Sequence, residues 1–74
     1  MKELKVIGTN IARRRQALGL TQTELCRLAS IDRSFLSEIE NGKMNVSVKA
    51  LVAIADVLEC DLADLVRGSG KARK

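Results

Sequence analysis

The sequence contains no histidine, proline, tryptophan or tyrosine, and phenylalanine occurs only once. Histidine is the commonest general base and metal ligand near neutral pH, so its absence excludes hydrolytic triads and zinc sites that depend on it. A glycine-rich phosphate-binding loop is also absent from the sequence. We therefore predict a protein that is not an enzyme and that needs no metal or other cofactor.

Cysteine and long apolar runs are also scarce. Cys26 and Cys60 are too far apart for a CxxC motif and too few for a zinc cluster, so we interpret both as reduced core residues. The sequence alone leaves a disulfide between them open. The amino terminus lacks the apolar core of a signal peptide, and the longest apolar run, residues 50–55, is too short to span a bilayer. These absences predict a cytoplasmic protein with neither a membrane partner nor a small-molecule ligand.

The 74 residues, of which 46% are hydrophobic, suffice for one small core. Because aromatic residues are nearly absent, that core must consist of aliphatic side chains, a composition that favours packed helices. We predict one domain over residues 1–67. Residues 68–74 have no apolar member except Ala72, so we expect them to form a flexible basic tail.

Charge is distributed unevenly along the chain. Residues 1–49 carry nine basic and five acidic side chains, whereas residues 50–66 carry four acidic and no basic ones. The last eight residues add four bases, which brings the net charge to +4. A basic side favours an acidic partner such as nucleic acid, although a solvated surface explains the charges equally well.

The spacing of apolar residues predicts a first helix from about Lys2 to Leu18. Gly19 is expected to end this helix, because glycine accepts the left-handed conformation that often follows a helix. The inward stripe of this helix has spacings of three, four and seven residues and consists of Leu4, Ile7, Ile11 and Leu18.

A capping box predicts the start of a second helix. Thr21 and Glu24 are three residues apart, so that each side chain can bind a free backbone N–H at the helix start. We expect this helix to end near Ala29 and to direct Leu25 and Leu28 into the core.

Further capping residues predict three more helices. Asp32 is a good N-cap for a third helix, and Asn41–Gly42 is a typical helix end. Ser47 and Asp61 are suitable N-caps for a fourth helix over residues 48–58 and a fifth over residues 62–67. The fold class is therefore predicted to be all-α, with five helices joined by short turns.

The third helix has one apolar and one polar side. At about 100° per residue, Phe35, Leu36 and Ile39 fall on the inward arc. The outward arc carries short polar or charged side chains, namely Arg33, Ser34, Ser37, Glu38 and Asn41. Two short helices joined by a tight turn, with such a face on the second, are typical of a helix-turn-helix DNA reader. A solvated helix face would have the same polarity.

Residues 21–25 (TQTEL) and 31–43 (IDRSFLSEIENGK) resemble the lambda repressor and Cro-like, or Xre-type, helix-turn-helix domain. The resemblance extends from about Ile7 to Leu65 and implies a compact five-helix lambda repressor-like DNA-binding domain. Within this superfamily, residues 32–35 (DRSF) and 45–48 (NVSV) most resemble the controller proteins of restriction-modification systems.

Four residues are predicted to contact bases. Arg33 can donate two hydrogen bonds to guanine O6 and N7, and Ser34 and Ser37 can reach base edges. Glu38 can accept a hydrogen bond from cytosine N4, or it can instead repel phosphates and orient Arg33. Phe35 is expected to pack in the core, with a thymine methyl or a sugar as the alternative contact.

The resemblance implies that phosphate contacts flank these bases. The start of the second helix favours a phosphate through its free N–H groups, to which the Gln22 side chain can add a hydrogen bond. The predicted phosphate-contacting set is Thr21, Gln22, Arg14, Asn41, Lys43 and Asn45. Because the third helix is net acidic, basic residues outside it must supply the affinity for DNA. The candidates are Arg13, Arg14, Arg15, Lys43 and Lys49.

Arg15 and Glu40 are predicted to form a structural ion pair. Arg15 lies beside the apolar stripe of the first helix, and Glu40 lies on the inward edge of the third. These two residues resemble an arginine and a glutamate that pair in Xre-type domains and brace the first helix against the third.

The fourth helix is apolar almost all round, and one small domain cannot cover it completely. We expect a twofold partner to cover the remainder, with an interface formed by Val52, Val57, Leu62 and Val66. In a monomer, the fifth helix and the tail would cover this surface instead.

These observations predict a sequence-specific regulator of transcription that binds double-stranded DNA as a homodimer on an operator. Repression by blocking RNA polymerase and activation by contact with it are both open. The alternative is a protein-interaction module, such as an antitoxin or adaptor, that uses the apolar surface of the fourth helix.

Overall fold

The computed structural model describes residues 2–67, which form five helices and no strand. The helices are α1 (Lys2–Ala17), α2 (Gln22–Ala29), α3 (Arg33–Glu40), α4 (Val48–Leu58) and α5 (Leu62–Val66). The predicted all-α fold class is confirmed. The predicted tail, residues 68–74, lies outside the described residues.

Side-chain caps define where α2, α3 and α4 begin. Thr21 Oγ1 accepts a hydrogen bond from Glu24 N at 3.0 Å, and Glu24 Oε1 accepts one from Thr21 N at 2.8 Å. These bonds form the predicted capping box. Hydrogen bonds that the Glu24 carboxylate accepts from the backbone and side chain of Thr21 lower its pKa, because they favour the ionised form. Asp32 caps α3 and Ser47 caps α4, as the sequence predicts.

Every helix contributes to one aliphatic core. The most deeply buried large side chains are Ile11, Leu25, Leu36, Ile39, Ile54 and Leu65. The core packs α1 against α3 and α5, and α2 against α3 and α4. Of the two helices of the predicted helix-turn-helix, α3 is therefore supported by α1 and α2 is supported by α4, while α5 packs against α1 and α4.

Two leucines predicted to face the core are exposed. Leu18 is 45% exposed because α1 ends one residue before it, so the helical spacing no longer sets its direction. Leu28 is 56% exposed because α2 buries the face that carries Leu25, Cys26 and Ala29, and Leu28 lies beside that face.

Both cysteines are free thiols. Cys26 is buried among core side chains, and Cys60 is half-buried against the same core. Burial raises the pKa of both thiols, because it disfavours the charged thiolate. Neither thiol is therefore activated for reaction, which agrees with their interpretation as reduced packing residues.

The backbones of α1 and α3 approach each other closely at Gly8. A Cβ atom at this position would lie 2.3 Å from the Ile39 carbonyl oxygen and 2.6 Å from that of Glu40. Just beyond α3, Gly42 has φ +71°, and a Cβ there would lie 2.8 Å from Lys5 Cα. The carboxyl-terminal end of α3 therefore lies directly on the backbone of α1.

We expect Gly8→Ala to destabilise the fold by about 1 to 3 kcal/mol, because the inserted methyl group must push the end of α3, with its two carbonyl groups, away from α1. At an open position in a helix, the same change stabilises by about 1 kcal/mol, so the sign of the effect tests the contact. Urea unfolding followed by circular dichroism measures it, with Thr9→Ala on the exposed side of α1 as the control. A stabilised Gly8→Ala variant would contradict the close approach.

Candidate nucleic-acid interface

A tight turn sets the angle between α2 and α3. Ser30 ends α2 in the left-handed conformation, at φ 58°, and Ile31 N donates to Cys26 O at 3.0 Å. Asp32 then begins α3 by accepting a hydrogen bond from Ser34 N at 3.1 Å. Three residues, 30–32, thus connect the two helices, so α3 begins immediately after α2 ends.

The polar face of α3 lies in solvent. Leu36 and Ile39 are buried, whereas Arg33, Ser34 and Glu38 are exposed and Ser37 is half-buried. Within residues 2–67, the Arg33 guanidinium forms no hydrogen bond or ion pair. Its five N–H donors are therefore available to an external acceptor.

The hydroxyl group of Ser34 is committed to its neighbour. Ser34 Oγ donates to Asp32 Oδ2, and this bond, together with backbone N–H groups of Phe35 and Ser34, lowers the pKa of Asp32. Asp32 is consequently ionised at neutral pH, and the hydroxyl proton of Ser34 points to it. Toward an external partner, Ser34 therefore offers only acceptor lone pairs.

The segment after α3 holds three of the predicted phosphate contacts. Asn41 Nδ2 donates to Ser37 O at 2.9 Å, and Lys43 N donates to Glu38 O at 2.9 Å, so the chain is fixed as it leaves the helix. The side chains of Asn41, Lys43 and Asn45 are exposed.

Arg15 and Glu40 do form an ion pair. Arg15 Nε lies 2.8 Å from Glu40 Oε2, and Arg15 Nη2 donates to Glu40 Oε1 at 3.1 Å. Only 11% of the arginine side chain and 7% of the glutamate side chain are exposed. Arg15 Nη1 also donates to Leu20 O at 2.8 Å. Because these contacts occupy its guanidinium, Arg15 is not free to contact a phosphate, and we remove it from the residues predicted to supply affinity for DNA.

A third side chain, that of Gln22, joins the ion pair without having been predicted there from the sequence. Gln22 Nε2 donates to Glu40 Oε1 at 2.9 Å, which joins the start of α2 to the end of α3. The sequence contains no pattern that links positions 22 and 40, because the contact depends on how α2 and α3 cross. Glu40 therefore orients the Gln22 side chain.

Arg14 lies on a different side of α1. Its Nη2 atom is 3.8 Å from Asp64 Oδ1 on α5, an acid that also accepts from Arg67 Nη2 at 2.8 Å. The structure thus places Arg14 against α5, whereas Arg15 contacts the end of α3. It does not bring Arg14 together with the other predicted phosphate contacts.

The residues predicted for a dimer interface differ in exposure. Val52 is 42% exposed, whereas Val57 and Leu62 are half-buried against the core of their own chain. Val66 is also half-buried. One turn before Val52, Val48 is 68% exposed, although it is not among the residues predicted for the interface. The free apolar face of α4 is therefore centred on Val48 and Val52.

None of the helices within residues 2–67 is long and apolar enough to cross a membrane. In the same part of the chain, no three potential metal-ligating side chains lie together.

Comparison with known proteins identifies the family. Residues 11–65 match the helix-turn-helix family. The uncharacterized HTH-type transcriptional regulator y4dJ of Sinorhizobium fredii is 36% identical over 62 residues, which cover 84% of this chain and 80% of the regulator.

Two solved structures share the fold. The restriction-modification controller protein C.AhdI from Aeromonas hydrophila aligns with a TM-score of 0.85 and 31% identity, over 88% of this chain and 98% of that protein. SinR, the master regulator for biofilm formation, solved in complex with DNA, aligns with a TM-score of 0.76 and 33% identity, over 80% of this chain and 95% of the SinR chain in that structure. The resemblance to Xre-type domains is confirmed, and the chain belongs to the helix-turn-helix family of transcriptional regulators.

Proposed function

We propose that the protein is a cytoplasmic, sequence-specific transcription regulator that binds double-stranded DNA as a homodimer, with α3 in the major groove of an operator. The observation that carries the proposal is the exposed polar face of α3, on which Arg33 has no partner within residues 2–67. Family membership supports it, since a DNA complex is known for SinR, which has the same fold.

In this proposal, Arg33 contacts guanine O6 and N7, and Ser34, Ser37 and Glu38 contact neighbouring base edges. Phosphates on one side bind the free N–H groups at the start of α2, beside Thr21 and Gln22. Phosphates on the other side contact the segment after α3, through Asn41, Lys43 and Asn45. The phosphate contacts hold α3 in register, and the base contacts select the sequence.

Arg33→Ala is expected to weaken binding to the preferred sequence by about 1 to 3 kcal/mol and to remove the preference for one base pair in each half-site. Selection of bound fragments from a random duplex pool, carried out in parallel with the wild type and the variant, measures both effects. Arg27→Ala is the control, because it removes the same exposed charge from the end of α2.

Two outcomes would contradict the proposal. A wild-type protein that enriches no sequence is not a specific DNA reader, and the interaction-module alternative would then be favoured. An unchanged motif with Arg33→Ala would remove Arg33 from the base-contacting set.

The homodimer is proposed to form through α4, with Val52 at its centre and Val57, Leu62 and Val66 at its edge. Twofold symmetry would place two copies of α3 about 34 Å apart, on one face of the duplex. Val48 extends the same apolar surface by one turn. Whether the bound dimer blocks RNA polymerase or contacts it depends on where the operator lies.

Val52→Asp is expected to convert the dimer to a monomer, because it would bury a carboxylate in an apolar interface. Light scattering at micromolar concentration should give twice the 8.1 kDa of one chain for the wild type and 8.1 kDa for the variant. Thr9→Asp on α1 adds the same charge at an exposed position and should remain dimeric. A wild-type protein of 8.1 kDa would refute the dimer.

A further inference from the structure

A shallow cleft of about 320 Å³ runs along the side of α3 that faces the segment after it. Five residues line the cleft, and they are Asp32, Ser34, Phe35, Glu38 and Met44. Phe35 and Met44 are half-buried and provide apolar surface, whereas the three polar residues are exposed. The cleft therefore combines an apolar surface with a polar rim, next to the proposed base-contacting face.

Every polar side chain on this rim is an acceptor. The hydroxyl proton of Ser34 is donated to Asp32, so Ser34 has only lone pairs left to offer. The Glu38 carboxylate forms no hydrogen bond or ion pair within residues 2–67. With two negative charges and no free donor among its side chains, the cleft repels a phosphate and favours a neutral group that donates a hydrogen bond.

The major groove offers few such groups. Its only donors are the exocyclic amines of cytosine and adenine, N4 and N6. In an A·T pair, the thymine O4 acceptor lies between the amine and the thymine methyl group, and this acceptor would face the acceptor rim of the cleft. In cytosine, the N4 amine and C5 are adjacent on one ring, with no acceptor between them. A cytosine edge thus matches both the rim and the apolar surface.

We propose that this cleft reads the N4 and C5 edge of a cytosine, with Glu38 accepting from N4 and with Phe35 and Met44 contacting C5. It follows that a methyl group on C5 fills the apolar part of the cleft and strengthens binding. This inference rests on the proposed function, and it assigns to Met44 and Phe35 a role in specificity.

The test uses the preferred duplex obtained by fragment selection. Each cytosine in a half-site is replaced singly by 5-methylcytosine, and the Kd is measured by fluorescence anisotropy at fixed salt. At one position per half-site, we expect binding to become about four-fold tighter, which corresponds to about 0.8 kcal/mol for one buried methylene-sized group. Met44→Ala should remove this gain, and Met44→Leu should keep it because leucine restores the apolar contact.

The outcomes separate this inference from the proposed function. If a motif is selected but methylation tightens binding at none of its cytosines, or if the motif contains no cytosine, the cleft does not read a cytosine edge. A gain that persists in Met44→Ala would also overturn the inference. If no motif is selected at all, the proposed function itself fails.

Discussion

Glu40→Ala is expected to lower the free energy of unfolding by about 3 to 5 kcal/mol, because it leaves the Arg15 guanidinium buried without its counter-charge. The guanidinium keeps only its hydrogen bond to Leu20 O. Gln22 loses the acceptor that orients its side chain, so the link between α2 and α3 is lost as well. Urea unfolding followed by circular dichroism measures the loss.

Glu38→Ala is the matched control for stability, since it removes an exposed glutamate from the same helix. We expect it to change the free energy of unfolding by no more than about 0.5 kcal/mol. Replacing both partners, as in Arg15→Met with Glu40→Leu, should recover much of the stability, because no buried charge then remains. If Glu40→Ala unfolds at the same urea concentration as the wild type, the ion pair does not brace the helices.

DNA affinity is expected to fall by about 10³ between 50 and 200 mM salt, the lower end of the range for proteins that displace 6 to 10 counterions. The structure indicates the lower end because Arg15 is occupied by Glu40 and Arg14 lies beside Asp64. Of the basic residues predicted to supply affinity, Arg13, Lys43 and Lys49 are exposed, which makes six in a dimer. An anisotropy titration at several salt concentrations gives the slope directly.

Variants that each remove one positive charge show which residues contribute to the slope of log affinity against log salt concentration. Lys43→Gln should reduce it by about 1 for each protomer. Arg14→Gln should leave the slope unchanged, since Arg14 is directed toward α5. Affinity that does not vary with salt would exclude phosphate contacts as the main source of binding.

Local signals in the sequence predict where the helices begin. The cap residues Thr21, Asp32 and Ser47 act on their own backbone within three residues, so their effects do not depend on the tertiary fold. For this reason α4 has the predicted bounds. Periodicity was less reliable at the end of α1 and on α2, where Leu18 and Leu28 are exposed because burial depends on which neighbouring helix covers a face.

Contacts between helices were predictable only in part. The pairing of Arg15 with Glu40 was inferred from a family resemblance, whereas the bond from Gln22 to Glu40 requires the crossing of α2 and α3 to be known. Nor does any sequence pattern distinguish Gly8, where two backbones touch, from a glycine in an open helix. The cleft beside Phe35 and Met44 depends in the same way on the path of the chain after α3.

The backbone contacts of Gly8 and Gly42 bear on attempts to redesign the operator preference of this protein. Because the end of α3 lies on the backbone of α1, a recognition helix grafted from a relative would fit only if α1 keeps Gly8 and the graft keeps a glycine at position 42. Its outward residues can be randomised freely, since they do not touch α1. The domain therefore holds the backbone of α3 rigidly, while the outward side chains of α3 can be exchanged.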